Sequence, residues 1–285
     1  MKVGIIGLGL MGGSFGKTLV KAGKHTVYGA DALESVMLKA EMVKAINFKL
    51  DEKSAKEIDL LVVAVTPDKA EEVMKKYLPY LKNGAIVTDF CGIKRKIVSC
   101  MERLSKEYPN VTFIGGHPMA GREFSGIDHS TATLFENASM ILVNVNADIF
   151  TLDTVKQFFL SVGFKNVEIC SAETHDNRIA FTSQLCHIVS NAFIKNKNAE
   201  VHDGFSAGSY KDMTRVARLN PEMWADLMTE NADYLLNELT ELLDNLNKYK
   251  VALSLSDREE LKKLLKDGND RKLAIDVKSQ KKDKV

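Results

Sequence analysis

Short apolar runs alternate with amphipathic stretches from Lys2 to Cys170, and that alternation predicts parallel strands joined by crossover helices. The runs KVGIIG, TVYGAD, DLLVVAVTP, GAIVTDF, VTFIGG, MILVNV and VEIC read as strands. They are continuously apolar, as strands buried on both faces are. Segments such as SFGKTLVKAG, ESVMLKAEMV and DKAEEVMKKYLPYL read as helices between them. From about Ser171 no further strand-like run occurs. Apolar residues instead recur at helical spacing through NRIAFTSQLCHIVSNAFIK, YKDMTRVAR and PEMWADLMTENADYLLNELTELLDNLNKY. The last reads as one long helix, with Asn220 as its N-cap and Pro221 as its first residue.

A long leucine- and methionine-rich helix in a small helical region needs cover for its apolar surface, and a symmetric homodimer is the economical source. Composition narrows the partners further. The 285 residues carry 27% charged side chains and a formal net charge of +1, which gives no general reason to bind nucleic acid or a membrane. The basic stretch from about Arg271 onward reads as a frayed, solvated end. Cys91, Cys100, Cys170 and Cys186 form no CxxC pair and no metal-like spacing with histidine. Free thiols in a reducing cytoplasm, and no metal, are the expectation. The apolar N-terminus is broken by glycines and reads neither as a signal peptide nor as a membrane span.

The first strand runs into GLGLMGGS, which supplies Gly7, Gly9 and Gly12 in the G-x-G-x-x-G pattern between a strand and a helix. Such glycines allow a tight turn, close backbone approach to a pyrophosphate and close packing of helix on strand, with the anion on the helix N-terminus. Leu8, Leu10 and Met11 belong to the same loop. Asp31, ending the second strand, is placed to accept hydrogen bonds from the adenosine ribose, so NAD is expected over NADP. Val65 and Thr66, in AVTP, lie at a strand end near the cofactor. The fold class is therefore α/β: a Rossmann-like dinucleotide-binding domain over residues 1–170 and an all-helical domain over 171–285.

Three clusters carry candidate substrate chemistry: GGHPMAGRE with His117, Arg122 and Glu123; THDNRIAFTSQLCH with His175, Asp176 and His187; and GSYKDMTRVARLNPEMW with Lys211, Arg215, Arg218 and Trp224. His117 stands at a strand end on the cofactor edge, whereas His25, His129 and His202 read as packing residues. The combination of TDFCGIK, HPMAG, HD, SQLCH and the Lys-Asp-x-Thr-Arg run resembles prephenate dehydrogenases, including the arogenate-using members of that family. The resemblance implies a helical dimerisation domain and NAD-dependent oxidative decarboxylation of prephenate to 4-hydroxyphenylpyruvate in tyrosine biosynthesis. It also implies roles: His117 as the catalytic histidine, Arg215 on a substrate carboxylate, Glu123 as its acidic partner, and His187 with Trp224 lining the pocket, the tryptophan from across the dimer. Lys94 is retained on the cofactor side.

Two departures stand out. Gly92 replaces the serine the family commonly carries, leaving water, Cys91 or Ser125 to supply the lost donor. Arg122 replaces a small residue, and its charge favours a pyruvyl over an alanyl side chain. Because the chain ends soon after the helical region, tyrosine feedback is expected to act competitively at the active site. Arogenate dehydrogenase remains the nearest alternative. A β-hydroxyacid dehydrogenase, which would use a lysine as acid and base, and a non-catalytic NAD-binding protein are the others.

Overall fold

The computed structural model describes residues 1–122 and 124–282. Its strands are β1 (Lys2–Ile6), β2 (Thr26–Ala30), β3 (Phe48–Lys49), β4 (Leu60–Val63), β5 (Ile86–Asp89), β6 (Thr112–Pro118), β7 (Ser139–Asn144) and β8 (Asn166–Ile169). The helices of the first half are α1 (Leu10–Ala22), α2 (Glu34–Met42), α3 (Glu52–Ala55), α4 (Pro67–Tyr77), α5 (Arg95–Glu107) and α6 (Ile149–Ser161). The second half contributes α7 (Ala172–Ile179), α8 (Cys186–Phe193), α9 (Gly208–Thr214), α10 (Pro221–Glu230), α11 (Ala232–Ser254) and α12 (Arg258–Lys282). A π-helical turn, Ala180–Leu185, joins α7 to α8.

One eight-stranded sheet takes the strands in the order β3-β2-β1-β4-β5-β6-β7-β8. The apolar runs are continuous because successive residues feed opposite faces. In β4, Leu60 and Val62 pack with Phe15 and Leu19 of α1 and Phe159 of α6. Leu61 and Val63 face Met74 of α4 and Met101 of α5 on the other side. The strand order reverses between β1 and β4, which opens the crevice at their carboxyl ends where α/β sheets bind ligands.

The sheet departs from the all-parallel expectation at one edge. β1 to β6 run parallel, but β7 pairs antiparallel with β6, His117 opposite Ile141, and β8 is parallel to β7. Among the described residues, the connection from β6 to β7 holds only a short 3₁₀ turn at Ile127–His129, and no crossover helix returns the chain to the far edge. That connection stays at the carboxyl edge and packs on α1, through Thr131 N to Ser14 Oγ (3.0 Å) and Lys17 Nζ to Ser130 O (2.8 Å).

The expected long helix is also interrupted, at Asn231, between α10 and α11. Asn231 is fully buried, and its Nδ2 donates to Asp176 O (2.9 Å) and Gln184 Oε1 (2.8 Å). A polar side chain that must bury satisfied fixes the chain where the helix breaks.

The chain divides into two compact units, Met1–Ala232 and Asp233–Val285. In the second, Tyr249 Oη donates to Leu264 O (3.2 Å) and ties α11 to α12. The basic tail is helical as far as Lys282, not frayed. Four-residue ion pairs such as Arg271 with Asp267 (2.9 Å) and Lys272 with Asp276 line this exposed helix, each contributing a few tenths of a kcal/mol. Among the described residues, no helix is long and apolar enough to cross a membrane.

Candidate active site

The loop after β1 is shaped by three glycines with different tasks. Gly7 has φ +86°, and a Cβ there would meet the Ala64 carbonyl oxygen at 2.5 Å and Val65 Cγ1 at 2.8 Å. A Cβ on Gly12 would lie 1.9 Å from the Gly7 carbonyl oxygen, so α1 can start against the strand only with glycine there. A Cβ on Gly9 would meet nothing within 4 Å. Gly9 is the N-cap of α1 and offers no side chain to it, and the first turn holds no acidic residue. Its leading N–H groups therefore face an open cradle suited to an anion, as a dinucleotide pyrophosphate requires.

Around that cradle, Leu8 is buried while Leu10 and Met11 are half-buried. Asp31 stands at the end of β2, where its Oδ2 accepts from Leu8 N (2.8 Å) and its Oδ1 from Leu33 N (3.0 Å). The carboxylate thus braces the glycine loop from within. Val65 and Thr66 follow β4, and Thr66 is the N-cap of α4.

A second constellation lies at the end of β6. Asp89, fully buried at the end of β5, accepts from Gly116 N (3.0 Å) and Cys91 N (2.8 Å) and pairs with Lys94. Lys94 Nζ also donates to Gly116 O (2.6 Å). The Lys94 side chain is 0% exposed, so its ammonium is spent on holding β5 to β6 rather than offered to a ligand. This buried pair fixes the backbone immediately before His117. Breaking it would leave an uncompensated charge, at a cost of about 3–5 kcal/mol.

His117 Nδ1 lies 2.8 Å from His175 Nε2, and His175 Nδ1 lies 2.6 Å from Asp176 Oδ1. Asp176 also accepts from the Lys94 and Arg95 amides (2.7 and 2.9 Å), which pins the middle of α7 to the start of α5. Burial holds His117 well below the ordinary histidine pKa, and the nearby His175 and Lys94 act in the same direction. His175 is lowered by burial too, against the pull of Asp176. Burial pushes the Asp176 carboxyl up, but the hydrogen bonds from His175, Arg95 and Lys94 outweigh it and the net shift is downward.

His187 and Trp224 stack with ring centroids 3.9 Å apart within one chain. The two rings expected to line the substrate pocket thus lie against each other. His187 Nδ1 bonds the Val216 carbonyl (3.0 Å), and burial chiefly lowers its pKa, with the Arg215 charge contributing. Arg215 opens a 3₁₀ turn, Arg215–Ala217, directly after α9. Arg122 is exposed. Glu123, its expected pairing with Arg215 included, lies outside the described residues.

Gly92 is partly exposed, and a Cβ there would meet only Leu227 of α10, at 3.6 Å. Cys91 does not replace the missing serine: it is buried, with its thiol against the Val65 carbonyl (3.8 Å). The three packing histidines all have aromatic neighbours, His25 on Phe158, His129 on Phe124 and His202 on Tyr210.

Comparison with known proteins fixes the family. Residues 15–168 match the nucleotide-binding domain of prephenate dehydrogenase, and residues 171–267 match its dimerization domain. The chain belongs to the prephenate dehydrogenase family. The cyclohexadienyl dehydrogenase of Zymomonas mobilis is 30% identical, over 96% of this chain and 95% of that one. The Aquifex aeolicus prephenate dehydrogenase, solved with hydroxyphenyl propionate and NAD+, is 30% identical with a TM-score of 0.81, covering 96% of this chain and 98% of that one. The Synechocystis arogenate dehydrogenase is 26% identical with a TM-score of 0.80, covering 96% and 100%.

Several residues of the constellation are not marked by any local pattern in the sequence. Asp89 was visible only as one carboxylate ending an apolar run. His175 and Asp176 showed as an adjacent pair on a helix. Gln184 and Asn231 gave no local signal; Gln184 sits in the π-helical turn and donates to Leu227 O (2.8 Å).

Proposed function

We propose that this chain catalyses the NAD-dependent oxidative decarboxylation of prephenate to 4-hydroxyphenylpyruvate. The observation that carries the reading is His117, a histidine kept neutral by its surroundings at the carboxyl end of β6, on the sheet edge that also bears the glycine loop. The open cradle at Gly9 and the carboxylate of Asp31, which repels a 2′-phosphate, support NAD as the cofactor. Bound NAD supplies the hydride acceptor.

Prephenate bears a ring hydroxyl on the carbon that loses hydride, and a carboxylate on the opposite ring carbon. As that hydroxyl becomes a carbonyl, neutral His117 accepts its proton. The bond to the departing carboxylate then breaks, its electron pair completes the aromatic ring, and carbon dioxide leaves. The new phenolic oxygen takes the proton back from His117, so the reaction releases no net proton. Arg215 holds a substrate carboxylate through its planar fork, with Glu123 as its acidic partner, and His187 and Trp224 form the wall beside it. Arg122 favours the pyruvyl side chain.

Residues 171–285 form the homodimerisation half, with the domain boundary at Cys170–Ser171 between β8 and α7. The match to a dimerization domain and the exposed Leu236, Leu243 and Leu246 of α11 support it. The test is formation of NADH or NADPH with prephenate and with arogenate, each with NAD and NADP. The account predicts the highest kcat/KM for prephenate with NAD. Faster turnover of arogenate would assign that substrate instead, and no turnover of either would end the reading.

A further inference from the structure

The reaction as set out uses His117 but leaves the His175–Asp176 pair without a task. We propose that His175 and Asp176 are positioning residues that hold His117 in the tautomer with its proton on Nδ1, so that a bare Nε2 is presented to the substrate hydroxyl. The inference rests on the reading of His117 as the proton acceptor.

Donors and acceptors run along one line from Asp176 through His175 to His117. An ionised carboxylate only accepts. Asp176 Oδ1 takes the Lys94 amide at 2.7 Å and stands 2.6 Å from His175 Nδ1, while its Oδ2 takes the Arg95 amide at 2.9 Å and Arg95 Nε at 3.2 Å. His175 Nδ1 must therefore carry a proton. His175 and Asp176 are buried, and the burial that lowers the His175 pKa keeps its imidazole neutral, so Nε2 has a lone pair and no proton. That lone pair faces His117 Nδ1 at 2.8 Å, a distance that requires a hydrogen between them. The hydrogen is on His117. A neutral imidazole holds one N–H, so Nε2 of His117 is the free base.

The surrounding charges do not reverse this assignment. The Lys94 ammonium, which would otherwise face both rings, is paired with Asp89 and the Gly116 carbonyl. The Arg95 guanidinium lies on the far side of the relay, bonded to Asp176 and to Asn231 Oδ1 at 2.9 Å. When His117 takes the substrate proton, the imidazolium keeps its Nδ1–H bond to His175, and the Asp176 carboxylate stabilises the charge through that ring. Hydrolase triads set a tautomer by the same logic, with a carboxylate acting directly on the base. Here a second imidazole stands between them.

The experiment combines steady-state kinetics with ¹⁵N NMR of the imidazole nitrogens, on the full chain. His175→Phe removes the acceptor but leaves Asp176 and its amide bonds in place, so it tests the relay without dismantling the loop. We expect kcat with prephenate to fall about a hundredfold while KM stays within about threefold. His175→Gln, which restores a carbonyl acceptor toward His117 and an N–H toward Asp176, is expected to recover at least about tenfold of that loss. In the native protein the His117 resonances should show a protonated Nδ1 and a bare Nε2, and His175→Phe should shift that population toward Nε2–H. A native His117 protonated on Nε2 would overturn the inference, as would equal kcat in native and Phe variants or equal losses for Phe and Gln. The NMR arm needs no substrate. Correct tautomers without turnover would remove the proposed function and leave the relay, whereas turnover with the opposite tautomer would do the reverse.

Discussion

The glycine loop after β1 and the histidine at the end of β6 share the carboxyl edge of one sheet, yet they are built by opposite means. The loop works by what it lacks: a Cβ at Gly12 would stand 1.9 Å from a carbonyl oxygen, and one at Gly9 would fill open space. The histidine works by what surrounds it, a buried ion pair behind its strand and a second imidazole 2.8 Å from its own. Backbone sterics set the first site. Side chains from distant parts of the sequence set the second, and the chemistry follows from their burial.

The largest test of this contrast lies within the loop. Gly12→Ala is expected to destabilise the protein by about 3 kcal/mol or more, a fall of roughly 5 °C or more in Tm by calorimetry, because the added methyl meets backbone that cannot yield. Gly9→Ala should stay within about 1 kcal/mol of the native protein yet raise the KM for NAD about tenfold, since its methyl enters the cradle alone. Equal effects of the two would erase the distinction between a packing glycine and a ligand glycine.

Asp31→Ala probes a side chain that braces the loop. Removing the carboxylate should narrow the preference for NAD over NADP about tenfold in kcat/KM and loosen Leu8, whose amide it accepts. An unaltered preference would mean that another group reads the ribose. Gly92→Ser carries the smallest expected effect. The new side chain meets only Leu227 at 3.6 Å, so stability should hold within about 0.5 kcal/mol while kcat rises a few-fold as the missing donor is restored. Unchanged kcat would show that the donor is not wanting.

The difference in construction also explains what could be read from the sequence. The glycine loop, the apolar strands and the switch to helix at Ser171 were legible because each rests on neighbours in the chain: a turn, a run, a period. His117 was legible from its strand end and its motif. Its partner His175 lies 58 residues away, and nothing local announces that the two rings meet. The reversal of β7 was missed because strand direction depends on where a connection leaves the chain, not on the strand's own residues. Asn231 broke the expected helix through bonds to Asp176 and Gln184, contacts invisible to a helical period. Lys94 was matched by motif to the cofactor side, but only the fold showed that its ammonium is buried against Asp89.

The central claim is that His117 acts as a neutral base, and the pH dependence of kcat/KM for prephenate tests it most directly. A base works only unprotonated, and the surroundings of His117 lower its pKa well below the ordinary 6.5, so activity should persist as pH falls through 6.5 and fail only below it. In His117→Asn, kcat should drop about a hundredfold or more and that acid limb should disappear. An acid limb at or above pH 6.5, or a His117→Asn enzyme that keeps both the limb and its kcat, would contradict the account.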